Sequence, residues 1–293
     1  MKIDSQRLPE EECPVTSSRS PLEDRPLADS EVPFLHECHI YTTDNSSDGT
    51  MVWGTQVDMT NFRAFLKEWN SSADTLMTPT AVLAHAVGLT LQKHPAANSR
   101  VLGSRVYRFT EQNVVLPVLT KSGPRLILLR RVDERSYKEI AAEIFESVSC
   151  AITNTMPVSL GERIGRRLSP FIRGFGVRLM LWLANHLRLR IRPITQHLVG
   201  APVVINYFGF PCAPQLLSYK PSRFGSHALL LNVTLGPTHP QAVVRDNTVV
   251  ARPISGLFVR GDHRTMDAAQ LAAFVRTLVD ILEDPGKFAL DAA

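Results

Sequence analysis

"FVRGDHRTMDAAQLAAFVRTLVDILEDP", residues 258–285, joins two periodicities across a short polar hinge. Leu257, Phe258 and Val259 make an apolar strand run, whereas Leu271, Phe274, Val275, Leu278, Ile281 and Leu282 recur at helical spacing. A strand turning into a helix is therefore predicted here. Asp267, with Gln270 three residues on, has the capping-box pattern, in which the carboxylate accepts the first free N–H groups of the helix. Pro285-Gly286 stops that helix. The hinge "HRTMD" sets His263 and Asp267 four positions apart. Taken alone, such a pair is more often a turn histidine beside a helix cap than a catalytic pair, because short motifs match by chance.

Outward from this hinge the chain interleaves strands and helices. Pro33 to Thr42 and Met51 to Val57 read as paired strands, followed by a helix from about Asn61 to Trp69 with Phe62, Phe65, Leu66 and Trp69 inward. Thr78-Pro79 is a cap and first-turn signal for a helix ending near His94-Pro95. Val114 to Leu119 and Arg125 to Val132 form a predicted hairpin about Ser122-Gly123-Pro124. Ser136 and Glu139 then form a capping box for a helix carrying Tyr137, Ile140, Ile144, Phe145 and Val148. Further strands fit Pro202 to Phe208, Ala228 to Leu235 and Thr248 to Val259. The order is mixed α/β without internal repeats.

Four blocks of this chain, in order, resemble the catalytic domain of the 2-oxoacid dehydrogenase acyltransferases. "GDHRTMDAAQLAAFVRTLVDILEDP" resembles the closing D-H-R-x-x-D/N-G-A segment and its helix ending in L-E-x-P. "GTQVDMTNFRAFLKEW" (Gly54 to Trp69) is similar to the V-D-M-T junction, and "TPTAVLAHAVGLTLQKHPAANSR" (Thr78 to Arg100) to the long helix ending in P-x-x-N-S. "APVVINYFGF" (Ala201 to Phe210) falls where the family has its T-I-S-N-L-G strand. The resemblance implies an α/β fold: a chloramphenicol acetyltransferase-like mixed β-sheet with flanking helices, in a single domain over 33–290.

What the resemblance implies chemically is acyl transfer between coenzyme A, or a carrier-protein phosphopantetheine thioester, and a thiol, hydroxyl or amine acceptor. A thiol or alcohol is a weak nucleophile at neutral pH until a base takes its proton, and histidine has the pKa for that task. His263 is the expected general base. Asp267 is expected to orient the loop through an ion pair, and Asp262 and Arg264 to shape it. An oxyanion donor is also required. The family uses a Ser or Thr hydroxyl there, and Asn206 stands at that place. Ala268 stands where the motif has Gly. The departures favour a catalytically weakened trimeric scaffold of the same fold, the retained His263 and Asp267 favour the enzyme, and a membrane-surface binding protein of this fold is a further alternative. A homotrimer with its active site at the subunit interface and an acyl-carrier partner are further implications.

Composition agrees with this reading. A chain of 293 residues with 44% hydrophobic residues can bury a large core. The first 31 residues carry eight acids and four bases and little that packs, so residues 1–32 are expected to be a disordered tail. Of 32 basic and 28 acidic residues overall, 28 and 20 remain beyond it, a net of +8. That surplus favours anionic partners such as a phosphate-bearing thioester carrier, while no nucleic-acid motif is visible. No lipoyl-lysine motif or peripheral-subunit-binding segment is recognised, so no covalent lipoate is expected and the chain is read as a stand-alone form.

Cys13, Cys38, Cys150 and Cys212 show no C-x-x-C pair and no regular framework, which suits a reducing, cytoplasmic setting. "HECH" places His36 and His39 around Cys38, but on a strand these two histidines face opposite ways, so no metal is expected. Ser226 and His227 read as a solvated turn. Residues 162–198 form a basic amphipathic helical segment with eight Arg and one Glu between Glu162 and Arg192. It reads as a helix pair packed on the core or on another subunit, or as a contact with a membrane surface through 162–192, which would make the protein peripheral.

Overall fold

The computed structural model describes residues 24–28, 31, 50–72, 75–102, 105–120, 123–153, nine positions between 167 and 183, 201–209, 231–245 and 247–289. Nine strands are described: β1 (Asp24–Pro26), β2 (Thr50–Asp58), β3 (Ser99–Leu102), β4 (Arg105–Phe109), β5 (Val114–Thr120), β6 (Gly123–Leu129), β7 (Val203–Tyr207), β8 (Leu231–Arg245) and β9 (Thr248–Asp262). Four α-helices are described from end to end: α1 (Thr60–Ser72), α2 (Pro79–Lys93), α3 (Tyr137–Ile152) and α4 (Ala268–Glu283), with a 3₁₀ turn at Pro285–Phe288. Six strands form a mixed sheet in the order β2-β9-β8-β7-β5-β6, and β1-β4-β3 form a smaller one.

Local chemistry sets the helix starts. Thr78 caps α2 by accepting from the Ala81 N–H, with Pro79 in the first turn. Ser136 with Glu139 and Asp267 with Gln270 both close full capping boxes, on α3 and α4 respectively. The small and apolar side chains of α2 are buried on every side, Ala81, Val82, Leu83, Ala84, Ala86 and Val87 being inaccessible, so this helix runs through the core. Its His85 is equally buried, with Nδ1 3.0 Å from the Val132 carbonyl and its ring against Tyr137. That histidine is structural.

One face of the main sheet packs on these helices. Val203, Ile205, Leu231, Val233, Leu235, Leu257 and Val259 join Leu83, Val87, Leu271, Phe274 and Leu278 in a single cluster. Burying each such side chain stabilises the fold by roughly 1.5–3 kcal/mol. The alternate residues, Asn206, Asn232, Thr234, Phe258 and Arg260, lie on the opposite face by strand parity and register. On α3, Ile140, Ala141 and Ile144 turn inward while Phe145 is 72% exposed.

Three longer-range features differ from the sequence expectations. β8 continues to Arg245, pairing with β9 on both sides of a register shift, whereas the sequence reading ends that strand at Leu235. The register shift between Leu235 and Thr238 absorbs Gly236-Pro237 as a bulge, and Pro240 lies beyond the end of β7, where no ladder partner needs its N–H. The expected disordered tail gives way at its C-terminal end, where β1 pairs with β4 and Leu27 buries against Val101 and Val106. Cys150 is disulfide-bonded, a pairing that spacing along the chain could not reveal, and its partner lies outside the described residues.

Pro33 to Thr42, the "HECH" stretch, Ser226 and His227 also lie outside the described residues. So does most of 162–198. Its described positions Phe171, Ile172 and Phe175 are helical and exposed rather than packed on the core. Among the described residues no helix is long and apolar enough to cross a membrane, and no group of His, Cys, Asp or Glu is placed to hold a metal.

Candidate active site

The hinge after β9 is built around a buried ion pair. Arg264 donates from Nε to both carboxylate oxygens of Asp262, at 2.9 and 3.0 Å, and from Nη2 to Oδ2 at 2.6 Å. Both side chains are 4% exposed, and the Arg264 backbone N–H donates to the same carboxylate. The Asp262 carbonyl in turn accepts from the N–H groups of Thr265 and Met266 and from the Thr265 hydroxyl. Asp262 thus ties the turn from both of its ends. Gly261 allows the turn to fold back: a Cβ there would meet the Met266 Cε at 2.9 Å.

His263 sits inside this turn, half-buried. Asp267 follows at the helix start, where its Oδ1 accepts from the Gln270 N–H at 2.7 Å and its own N–H donates to the Gln270 Oε1 at 2.9 Å. Its interactions among the described residues are those of a cap, and none is the ion pair expected from the family. His263 is therefore held between a buried guanidinium–carboxylate pair and a helix N-terminus.

Asn206 occupies a separate polar cluster. Its Nδ2 lies 3.3 Å from the Asn232 Oδ1 and 3.4 Å from the Thr234 Oγ1, and the Thr234 hydroxyl donates to the same Asn232 oxygen at 2.8 Å. β7 and β8 run parallel in a register that puts Asn206 opposite Thr234. Asn232 and Thr234 escaped the sequence reading. Their signal is the alternation in "LNVTL", which places two polar side chains on the face that carries Asn206.

The register keeps Asn206 and His263 apart within one chain. Asn206 is level with Thr234, and Thr234 with Phe258, five residues before His263. At about 3.3 Å per residue that is roughly 16 Å along the strand, with two inter-strand spacings of about 4.8 Å besides.

A cavity of about 600 Å³ opens beside Asn206. Leu116, Pro117 and Val118 of β5 line one side and Asn206, Tyr207 and Phe208 the other; Ile144 and Val148 of α3 and Thr78 and Thr80 at the start of α2 complete it. Burial pushes the Tyr207 phenol up from its ordinary pKa, against a smaller opposing effect of the Arg63 charge, so the hydroxyl keeps its proton at neutral pH. The ring lies across Gly209, where any side chain would collide with it.

The family model of the 2-oxoacid dehydrogenases acyltransferase (catalytic domain) matches residues 48–159 and 233–290. His263 and Asp267 fall inside the matched residues and Asn206 falls between them. No curated protein matches the chain in sequence. Among solved structures, a dihydrolipoamide acetyltransferase of Azotobacter vinelandii, studied for the role of a serine, a histidine and an asparagine in its catalytic mechanism, superposes with a TM-score of 0.62 at 17% identity, over 87% of this chain and 88% of its own. A probable dihydrolipoamide acetyltransferase from Listeria monocytogenes gives 0.61 at 16% identity, over 92% and 97%. A chloramphenicol acetyltransferase gives 0.53 at 11%, over 89% and 100%. These likenesses establish the fold: a mixed sheet with flanking helices of the chloramphenicol acetyltransferase type.

Proposed function

The chain belongs to the 2-oxoacid dehydrogenase acyltransferase catalytic-domain family, and from that premise we propose that it transfers an acyl group from coenzyme A, or from a phosphopantetheine thioester on a carrier protein, to a thiol, hydroxyl or amine acceptor. The observation that carries the reading is the place of His263, half-buried in the turn that the Asp262–Arg264 pair and the capped start of α4 hold on either side. A base held in this way takes the acceptor's proton as the acceptor attacks the thioester carbonyl. Asp267 positions the loop. The Azotobacter enzyme was probed at a histidine and at an asparagine four positions beyond it, the spacing of His263 and Asp267.

As the carbonyl becomes tetrahedral its oxygen gains charge and needs a donor. The amide of Asn206, on its cluster with Asn232 and Thr234, is the group proposed for that role. Since His263 and Asn206 stand roughly 16 Å apart along the sheet of one chain, a site that uses both takes His263 from one copy and Asn206 from another. A homotrimer with its active sites at the subunit interfaces follows as part of the proposal. Incubating the purified protein with acyl-CoA and an acceptor thiol, and following the release of coenzyme A, tests it. Turnover that disappears in His263→Ala supports the reading; turnover unaffected by that substitution overturns it.

A second reading, a weakened scaffold of the same fold, draws on the Asn206 amide hydrogens, which are directed into the sheet toward Asn232 and Thr234. It predicts a well-assembled oligomer that releases no coenzyme A from any thioester.

A further inference from the structure

β5 and β7 pair only at Val114–Val203 and Val115–Val204, after which the two parallel strands run on without further ladder partners between them. The cavity of about 600 Å³ lies in that divergence. Its lining includes both parities of each strand: Leu116 and Val118 with Pro117 on one side, Tyr207 with Asn206 and Phe208 on the other. Alternate residues of a strand face opposite sides of a sheet, so the cavity passes between the two faces instead of lying on one. Asn206, the residue proposed at the reacting carbonyl, is part of its wall.

The lining chemistry selects the occupant. Among the described residues that line it there is no Lys, Arg, Asp or Glu, and the polar groups, Thr78, Thr80, Asn206 and the protonated Tyr207, are neutral. A phosphate or nucleotide would lose its hydration here without a counter-charge. An aliphatic chain loses nothing and gains burial against Leu116, Val118, Ile144 and Val148. The volume is that of a pocket for a ligand of many heavy atoms, far beyond an acetyl group.

We infer that this cleft between β5 and β7 receives the acyl chain of the thioester, and that the protein is built for medium-length aliphatic acyl groups rather than for acetyl. The inference rests on the acyl-transfer reading for its orientation, carbonyl at Asn206 and chain inward.

Calorimetric titration of the full-length protein with acetyl-, butyryl-, hexanoyl- and octanoyl-CoA measures it without requiring turnover. Kd is expected to fall about fourfold for each methylene added, the ratio corresponding to about 0.8 kcal/mol per buried CH₂. Val148→Trp and, separately, Ile144→Trp fill the cleft and should flatten the series, each variant being checked for a normal unfolding midpoint. Affinity that does not depend on chain length, or a steep series unchanged in folded Trp variants, overturns the inference. A parallel series of S-acyl-N-acetylcysteamines separates it from the function it rests on: chain-length-dependent binding of these with no binding of any acyl-CoA keeps the cleft and removes coenzyme A as donor. Absence of binding in both series overturns the cleft itself.

Discussion

The turn that carries His263 and the strand face that carries Asn206 are secured in opposite ways. The turn is over-determined: a buried bidentate ion pair, three donors on the Asp262 carbonyl and a full capping box all specify one geometry. The strand face is secured mainly by backbone pairing, with one side-chain hydrogen bond of 2.8 Å from Thr234 to Asn232 and longer contacts of 3.3 and 3.4 Å from the Asn206 amide. A single substitution in the first region breaks several bonds at once, whereas a substitution in the second leaves the ladder intact.

The strongest test of the contrast is His263→Ala. Loss of a general base costs roughly 10²–10⁴-fold in rate, and because the turn is tied by its neighbours the unfolding midpoint should stay within about a degree of the parent, read by differential scanning calorimetry. Next in size is Asp262→Ala, which strands a buried guanidinium. Removing one partner of a buried pair costs about 3–5 kcal/mol, measurable by urea unfolding, while replacing Asp262 and Arg264 together by Leu and Met should recover most of that loss.

On the other side of the contrast, Asn206→Ala should lower kcat by roughly 10²–10³-fold if its amide serves the oxyanion, with KM and stability little changed. Asn206→Ser should retain much of the rate. Parental kcat in a folded Asn206→Ala protein would remove Asn206 from the mechanism. The smallest effect belongs to Asp267→Ala: about 0.5–2 kcal/mol of stability from the lost cap, together with a lower rate as the turn loosens. A slower variant with an unmoved melting temperature would assign Asp267 to orientation and not to capping.

What could be read in the sequence was the short-range part. The Thr78, Ser136 and Asp267 caps, the apolar stripe of α4 and the polar hinge between β9 and α4 each depend on residues a few positions apart, so composition and spacing display them. Which of the neighbours Ile144 and Phe145 faces the core was not legible, because only packing chooses between them. Pairings across the chain were hidden. β1 on β4, the Asn206–Asn232–Thr234 cluster and the separation of His263 from Asn206 all depend on strand register, which joins positions 26 to some 85 residues apart. The divergence of β5 from β7 is likewise a matter of where a ladder stops, and no residue type announces it.

The β8–β9 hairpin has one more consequence. Near Leu235 and Leu257 it is the middle of a six-stranded sheet, but from Thr238 to Arg245 and Thr248 to Pro253 it has neither β7 nor β2 beside it, and Val244 and Val249 near its tip are 69% and 74% exposed. Side chains still tether it, Gln241 to Gln56, Arg245 to Asp58 and Arg252 to Thr60, but a two-stranded ribbon without further ladder partners is only marginally stable in water. Amide hydrogen exchange should therefore grade along a single pair of strands, fast at the tip through local opening and slow toward Val259, where exchange waits for global unfolding. The same gradient makes the turn between Arg245 and Thr248 the place to insert a fluorophore or an affinity handle, since fraying there ends well before it reaches the turn that holds His263.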